Sequence, residues 1–274
     1  MKIGPIDTVT ILTHDLTKTA AMYISAFGWR AKGSEYLLGA DEANRWQATN
    51  LTGARVLEVC GINGGVRFIE SKVYENPMPL RTFGWSALEI CVDDVHKYVA
   101  HAVKAGFEVL NEAVPLSGTA KPLPLIAAQL AGINGEVVYI TQILSEVPNF
   151  ELPDVSKESG SIFICVLGAS DLEKSREVLE SQFEVRRASD REVAIRVINR
   201  VYEKPLDTLH RLSSLQLYGR NAIEIDQLPS EGEQREKLTG NLPPGISVVT
   251  VRGEVHEPTI ITLPDHALLE VLPY

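Results

Sequence analysis

The feature that most constrains this chain is that it repeats itself. Val9-Thr10-Ile11-Leu12-Thr13-His14-Asp15-Leu16 reads as a strand ending in an Asp. A helical pattern follows, with Leu16, Ala20, Tyr23 and Phe27 on one face and Gly28 as its stop. The same grammar returns 79 positions later at Leu88-Glu89-Ile90-Cys91-Val92-Asp93-Asp94-Val95, with Val95, Val99 and Ala102 on the helix face and Gly106 as the stop. A third copy runs from Ile162-Phe163-Ile164-Cys165-Val166 through Asp171-Leu172, with Leu172, Leu179 and Phe183 on its face. A fourth, shorter copy is expected to open at Ala222-Ile223-Glu224-Ile225, with a helix over 230–238 capped by Ser230. A fold built from one supersecondary unit used four times follows.

Each helix is followed by short strand-like runs. Gly61-Ile62-Asn63-Gly64-Gly65-Val66-Arg67-Phe68-Ile69 matches Gly132-Ile133-Asn134-Gly135-Glu136-Val137-Val138-Tyr139-Ile140, and Asn-Gly between apolar runs signals a hairpin. The unit is therefore βαβββ, and the fold class α+β. Two prolines and mixed charge over 145–160 read as a connection. The expected division is an N-terminal domain over 1–147, a linker over 148–160 and a degenerate C-terminal domain over 161–274.

Four such units resemble the vicinal oxygen chelate superfamily, the fold of glyoxalase I, bleomycin-resistance proteins and extradiol dioxygenases. The resemblance is carried by Asp15-Leu16, Met22-Tyr23-Ile24 and Phe27-Gly28 in the first unit. In the second it is carried by Val92-Asp93-Asp94-Val95 and Ala105-Gly106-Phe107-Glu108-Val109. It covers nearly the whole chain, and is weakest over 189–218 and in the fourth unit. It implies two cupped mixed sheets with helices outside and a small-molecule ligand in a cup. One fold hosts many reactions, so it does not name the chemistry.

The resemblance also implies where a metal would sit: on a His, Gln or Glu early in each first strand and a Glu in each fourth strand, leaving an open-sided ion. Counted back seven residues from each motif Asp, the first-strand positions are Thr8, Ala87 and Ile164, with Ala222 in the fourth unit. None is a competent ligand. Fourth-strand positions fall on Phe68 and Tyr139, and only Glu270 matches. No cofactor is expected, and if a metal were held it would be by Glu270, Glu224 and His210. His14, His96, His101, His256 and His266 read as surface or turn residues. No His-x-His, Cys-x-x-Cys, nucleophile elbow or Walker loop occurs.

What remains is acid–base chemistry. Side chains two apart on a strand share a face. One cup is then expected to hold Thr8, Thr10, Phe68, Glu70, Glu89 and Tyr139, with Glu224 in the other. Glu89 is the candidate general base or acid, with Glu70 or Tyr139 as its counterpart. Burial against aromatic rings raises a carboxyl pKa toward neutrality. The competing reading pairs each Glu with Arg67 or Arg81, or turns it to solvent by a one-residue register slip. The insertion 39–47 reads either as a short helix that lays Trp46 over a planar ligand or as a surface turn packed on its own domain.

Composition narrows the classes. The 274 residues carry 26 basic and 36 acidic side chains, for a net charge of −10, with no basic patch to bind nucleic acid. No apolar run reaches the ~20 residues of a membrane span. Cys60, Cys91 and Cys165 sit in separate apolar runs and read as reduced thiols of a cytoplasmic protein. The leading expectation is a metal-independent isomerase- or lyase-type enzyme acting on a small, partly apolar oxygenated metabolite. A non-catalytic binder of the bleomycin-resistance kind and a metal-dependent dioxygenase or glyoxalase stand as alternatives, and a homodimer is left open.

Overall fold

The computed structural model describes residues 1–72, 80–117, 122–236 and 239–274. The first unit comprises β1 (Ile3–Thr13), α1 (Leu16–Phe27), β2 (Arg30–Ala31), β3 (Tyr36–Leu37), α2 (Ala40–Arg45), β4 (Arg55–Cys60) and β5 (Gly65–Glu70). The second comprises β6 (Gly84–Val92), α3 (Val95–Ala105), β7 (Glu108–Ser117), β8 (Pro122–Ala131) and β9 (Val137–Ile143). A one-turn helix α4 (Val155–Glu158) leads to the third: β10 (Ser161–Ala169), α5 (Leu172–Gln182), β11 (Arg186–Ala194), α6 (Arg196–Val201), β12 (Leu209–Gln216) and β13 (Ala222–Gln227). The chain closes with β14 (Ile246–Gly253), β15 (Thr259–Thr262) and β16 (Leu268–Pro273).

The repeated Asp has one job in three places. Asp15, Asp94 and Asp171 each take extended backbone before a helix, and each side chain accepts the N–H of the Lys three residues on: Lys18, Lys97 and Lys174. This satisfies one of the free donors at a helix start. Gly28 (φ 68°) and Gly106 (φ 107°) end α1 and α3 in the left-handed region, where a Cβ is strained.

In every unit the first strand lies parallel to the last: β1 with β5, β6 with β9, β10 with β13, and β14 with β16. That pattern corrects the fourth unit. Residues 222–227 close the third unit and do not open the fourth, which begins at β14. Residues 230–236 form no helix; they run as a loop that touches Thr82 through Glu233. Lys237 and Leu238, the end of the expected helix, lie outside the described residues.

The units join across antiparallel seams. One sheet runs β15-β16-β14-β1-β5-β4-β2, with β3 also on β4, and the other β11-β12-β13-β10-β6-β9-β8-β7. Unit one therefore shares a sheet with the last strands of the chain, and unit two with unit three. Each sheet draws strands from both sides of 148–160. The back faces of both sheets and α1, α3 and α5 meet in one apolar core, which includes Val9, Ile11, Tyr23, Leu88, Ile90 and Leu172. Within it Tyr23 packs its ring against Phe68 at 5.2 Å and Phe107 at 5.3 Å. Aromatic contacts at such distances add to the area they bury.

Candidate functional site

The sheet pairing redistributes the expected cup. Thr8, Thr10, Phe68 and Glu70 belong to one sheet, and Glu89 and Tyr139 to the other. Phe68 is further displaced, because it faces the common core against Tyr23. Glu70 is one-third exposed and pairs with Arg55 at 3.0 Å. The cause is one residue in a turn. Cys60 pairs with Gly65 across the first hairpin, whereas Ala131 pairs with Val137 across the second. The second turn is longer by one, and Glu136 takes the extra place. Tyr139 is therefore the structural partner of Arg67, and the matched letters Phe68 and Tyr139 point to opposite faces.

The cup of units one and four is filled by its own chain. Leu38, Ala43, Trp46 and Leu51 pack from the α2 segment onto Leu12, Val56, Ile69 and Val248. Trp46 is buried; its indole N–H donates to Glu270 at 3.1 Å, and Arg67 lies 5.2 Å over its ring. Glu270 also receives Arg45 at 3.3 Å and the Thr250 hydroxyl at 3.0 Å. Thr8 shares the row of Thr250 and Glu270, and Thr10 that of Arg67. Trp46 thus covers a carboxylate of its own protein, inside the fold.

The cup of units two and three is open, with a cavity of about 330 Å³. One row across its floor reads Asn111, Gln129, Tyr139, Glu89 and Ile164 on β7, β8, β9, β6 and β10. A second reads Ser189, Ser214, Glu224 and Val166, and a third Arg191, Leu212, Asp226 and Gly168. Glu224 therefore joins Glu89 in one cup, and its strand neighbour Asp226 comes with it. Asp226 was legible two residues beyond Glu224, on the same face. Phe150 and Leu152, from the connection between units two and three, form an apolar wall together with Leu125 and Phe163.

Burial dominates the electrostatics here. Glu89 is 6% exposed, and its carboxyl is pushed up to about 8 by burial and then by the charge of Glu224, against a lowering hydrogen bond from the Thr141 hydroxyl. Burial likewise raises Glu224, with Arg191 and the Ser214 hydroxyl opposing it. Asp226 is raised well above the usual range by burial, Glu224 and Glu89. Three carboxyl groups share one low-dielectric cup, and burial shifts each of them toward its protonated form. Among the described residues the Tyr139 hydroxyl, 6% exposed, has no hydrogen-bond partner, nor has Asp226 Oδ1.

The donors do not fit the superfamily's metal. The first-strand positions hold Thr8, Ala87, Ile164 and, in the corrected fourth unit, Val248. The set Glu270, Glu224 and His210 is split: Glu270 lies in the other sheet, and His210 Nε2 sits 2.6 Å from Asn199 Oδ1. Among the described residues no three His, Cys, Asp or Glu side chains are placed to hold one ion. A larger cavity of about 600 Å³ lies beside Trp85 and Arg235. Arg235 spends four hydrogen bonds there on Thr82 and three backbone carbonyls, as a brace, so the smaller cup is where the chemistry collects.

No helix of the described residues is long and apolar enough to cross a membrane. No family model and no curated protein matches the sequence. Solved structures do match along the whole chain. Glyoxalase I from Zea mays aligns with a TM-score of 0.61 and 12% identity, over 98% of this chain and 92% of that one. A putative dioxygenase from Bacillus subtilis aligns with a TM-score of 0.64 and 10% identity, over 99% and 86%. At these identities the likeness establishes the fold alone: the chain shares the α+β fold of these two structures, as the resemblance read from the sequence implied.

Proposed function

We propose that the open cup is the active site of an enzyme that moves protons on a small, partly apolar oxygenated molecule. The reaction is an isomerisation, elimination or addition beside a carbonyl, run without a metal. One observation carries this reading: a buried carboxyl titrating near 8, Glu89, stands opposite a buried hydroxyl with no partner, Tyr139. A base poised near working pH takes a proton from carbon efficiently. A buried hydroxyl donor with no competing partner among the described residues stabilises the enolate oxygen that develops. Burial raises Glu224 and Asp226 as well, which favours them as the source of the proton that a second transfer needs. A wholly apolar cup would favour pure sequestration, whereas carboxyls buried at a cost in desolvation favour proton chemistry. The structural neighbours named for glyoxalase and dioxygenase activity share the fold, and one fold hosts many reactions, so the chemistry is argued from this chain's own residues.

The reading is tested by proton–deuterium exchange. A panel of small ketones, 1,2-diketones and α-hydroxyketones is incubated with the protein in D2O and followed by NMR. Exchange beside a carbonyl is expected for at least one member, falling by ~10²–10⁴-fold in Glu89→Gln. No exchange above background, or equal exchange by a folded Glu89→Gln protein, overturns it.

A further inference from the structure

We propose that the molecule bound in the open cup carries a positively charged nitrogen, seated on the floor made by Glu89, Glu224 and Asp226. This rests on reading that cup as the active site.

The floor is short of donors. Glu89 receives one hydroxyl, from Thr141, and Glu224 one, from Ser214. Asp226 Oδ1 receives nothing. Each carboxylate accepts at up to about four positions, so most of the acceptor capacity here is unused. The other deeply buried carboxyls are treated differently. Glu270 has Arg45, Trp46 and Thr250 as donors, and Glu136 has the Asn134 backbone N–H and the Tyr23 hydroxyl. Where this fold keeps a carboxyl for structure, it surrounds it with donors.

Among the described residues no cation forms an ion pair with these carboxyls, although Arg191 shares the row of Asp226. The residues of β10 between Glu89 and Glu224 are Ile164 and Val166. The cations that line the cup are Arg191 on β11 and Arg196 at its exposed lip. The charge of Arg191 acts on Glu224 and Asp226, yet the two guanidinium groups form no ion pair with the carboxyls, and the Arg191 Nε–H is buried without a partner. An ammonium group brings three N–H donors and one positive charge, which is what three donor-poor carboxyls lack. The Tyr139 hydroxyl, unpartnered and buried at the side of Glu89, is left for an oxygen on the same molecule. Phe150, Leu152, Phe163 and Leu212 then face its apolar body. A cation beside the carbonyl also acidifies the C–H that Glu89 takes.

Titration calorimetry with three probes of one shape tests this: 2-phenylethylamine, 2-phenylethanol and phenylacetate. The amine is expected to bind at least tenfold more tightly than the alcohol, and phenylacetate more weakly than either. Pairing ionises the carboxyls, so amine binding releases protons and its heat depends on the buffer's ionisation enthalpy. Glu224→Gln and Asp226→Asn, uncharged replacements of similar shape, should each weaken the amine tenfold or more and change the alcohol less. The inference is overturned if the amine does not bind, if the alcohol or phenylacetate binds as tightly, or if both folded variants keep the amine affinity. The two readings separate cleanly. Amine binding without carbon-proton exchange removes the enzyme and keeps the cation site; exchange without amine preference does the reverse.

Discussion

Glu89 and Tyr139 are direct neighbours in the parallel register of β6 and β9, so a carboxyl and a hydroxyl rise side by side from the floor of one cup. The pair sets the pH profile of any proton abstraction there. A base works only in its ionised form, and the Glu89 carboxyl titrates at about 8. The rate should climb about tenfold per pH unit below that value and level off above it. A rate–pH curve in the exchange assay reads this directly, and a plateau starting near pH 5 would exclude Glu89 as the base.

Tyr139→Phe separates the two roles. Loss of a donor to a developing oxyanion costs ~10²–10³-fold in turnover. The hydroxyl has no partner among the described residues, so its removal should leave the melting temperature unchanged or slightly higher. A variant that loses stability and keeps its rate would show a structural hydroxyl instead.

Stability should depend on pH in an unusual direction. Glu89 is raised to about 8 and Glu136 to about 7, each chiefly by burial, from an ordinary 4.5. A carboxyl whose folded pKa is raised contributes stability that is fully present below the unfolded pKa and is lost as pH climbs to the folded one. The window is therefore pH 4.5 to 8, with a slope of up to about 1.4 kcal/mol per unit for each group. Asp7, lowered by Thr8 and Arg252 against its burial, works in the opposite sense and only in acid. Melting followed by circular dichroism should show a fall from pH 5 to 8, and Glu89→Gln should make it shallower, most clearly between pH 7 and 8 where Glu136 no longer contributes.

The sequence made the repeat, the three capping Asp residues and the helix faces legible, because each follows from local chemistry that recurs. The pairing of the units was not legible. Strands such as β1, buried along nearly its whole length, carry no mark of which neighbour they meet. The misplacement of Phe68 has a smaller cause: two hairpins that share Gly-Ile-Asn-Gly close over turns that differ by one residue, and a period of two converts that into the opposite face. Ala222-Ile223-Glu224-Ile225 imitated a first strand because it repeats the apolar spacing of Ala87-Leu88-Glu89-Ile90. Glu89 and Tyr139, two of the six residues expected in one cup, do share one, since both lie within one unit and depend on no seam. Glu224 and Asp226 reach them across β10, a contact that only the sheet order reveals.

The filled cup supplies the control. Trp46 is buried between Arg67 and Glu270, and its N–H is one of three donors that hold a carboxylate which is itself wholly buried. Trp46→Phe keeps most of the apolar body and removes that N–H, leaving Glu270 to Arg45 and Thr250. Leaving a buried acceptor short costs about 1–3 kcal/mol, with a smaller addition for the lost ring volume. Trp46 belongs to the other sheet's cup, and distant sites act additively. Denaturant unfolding should therefore show the loss in full, while Glu89-dependent exchange in the folded variant stays at its original rate. A Trp46→Phe protein of undiminished stability would mean that Glu270 does not need the indole. A folded one with depressed exchange would mean that the two cups are mechanically linked through the core between their sheets.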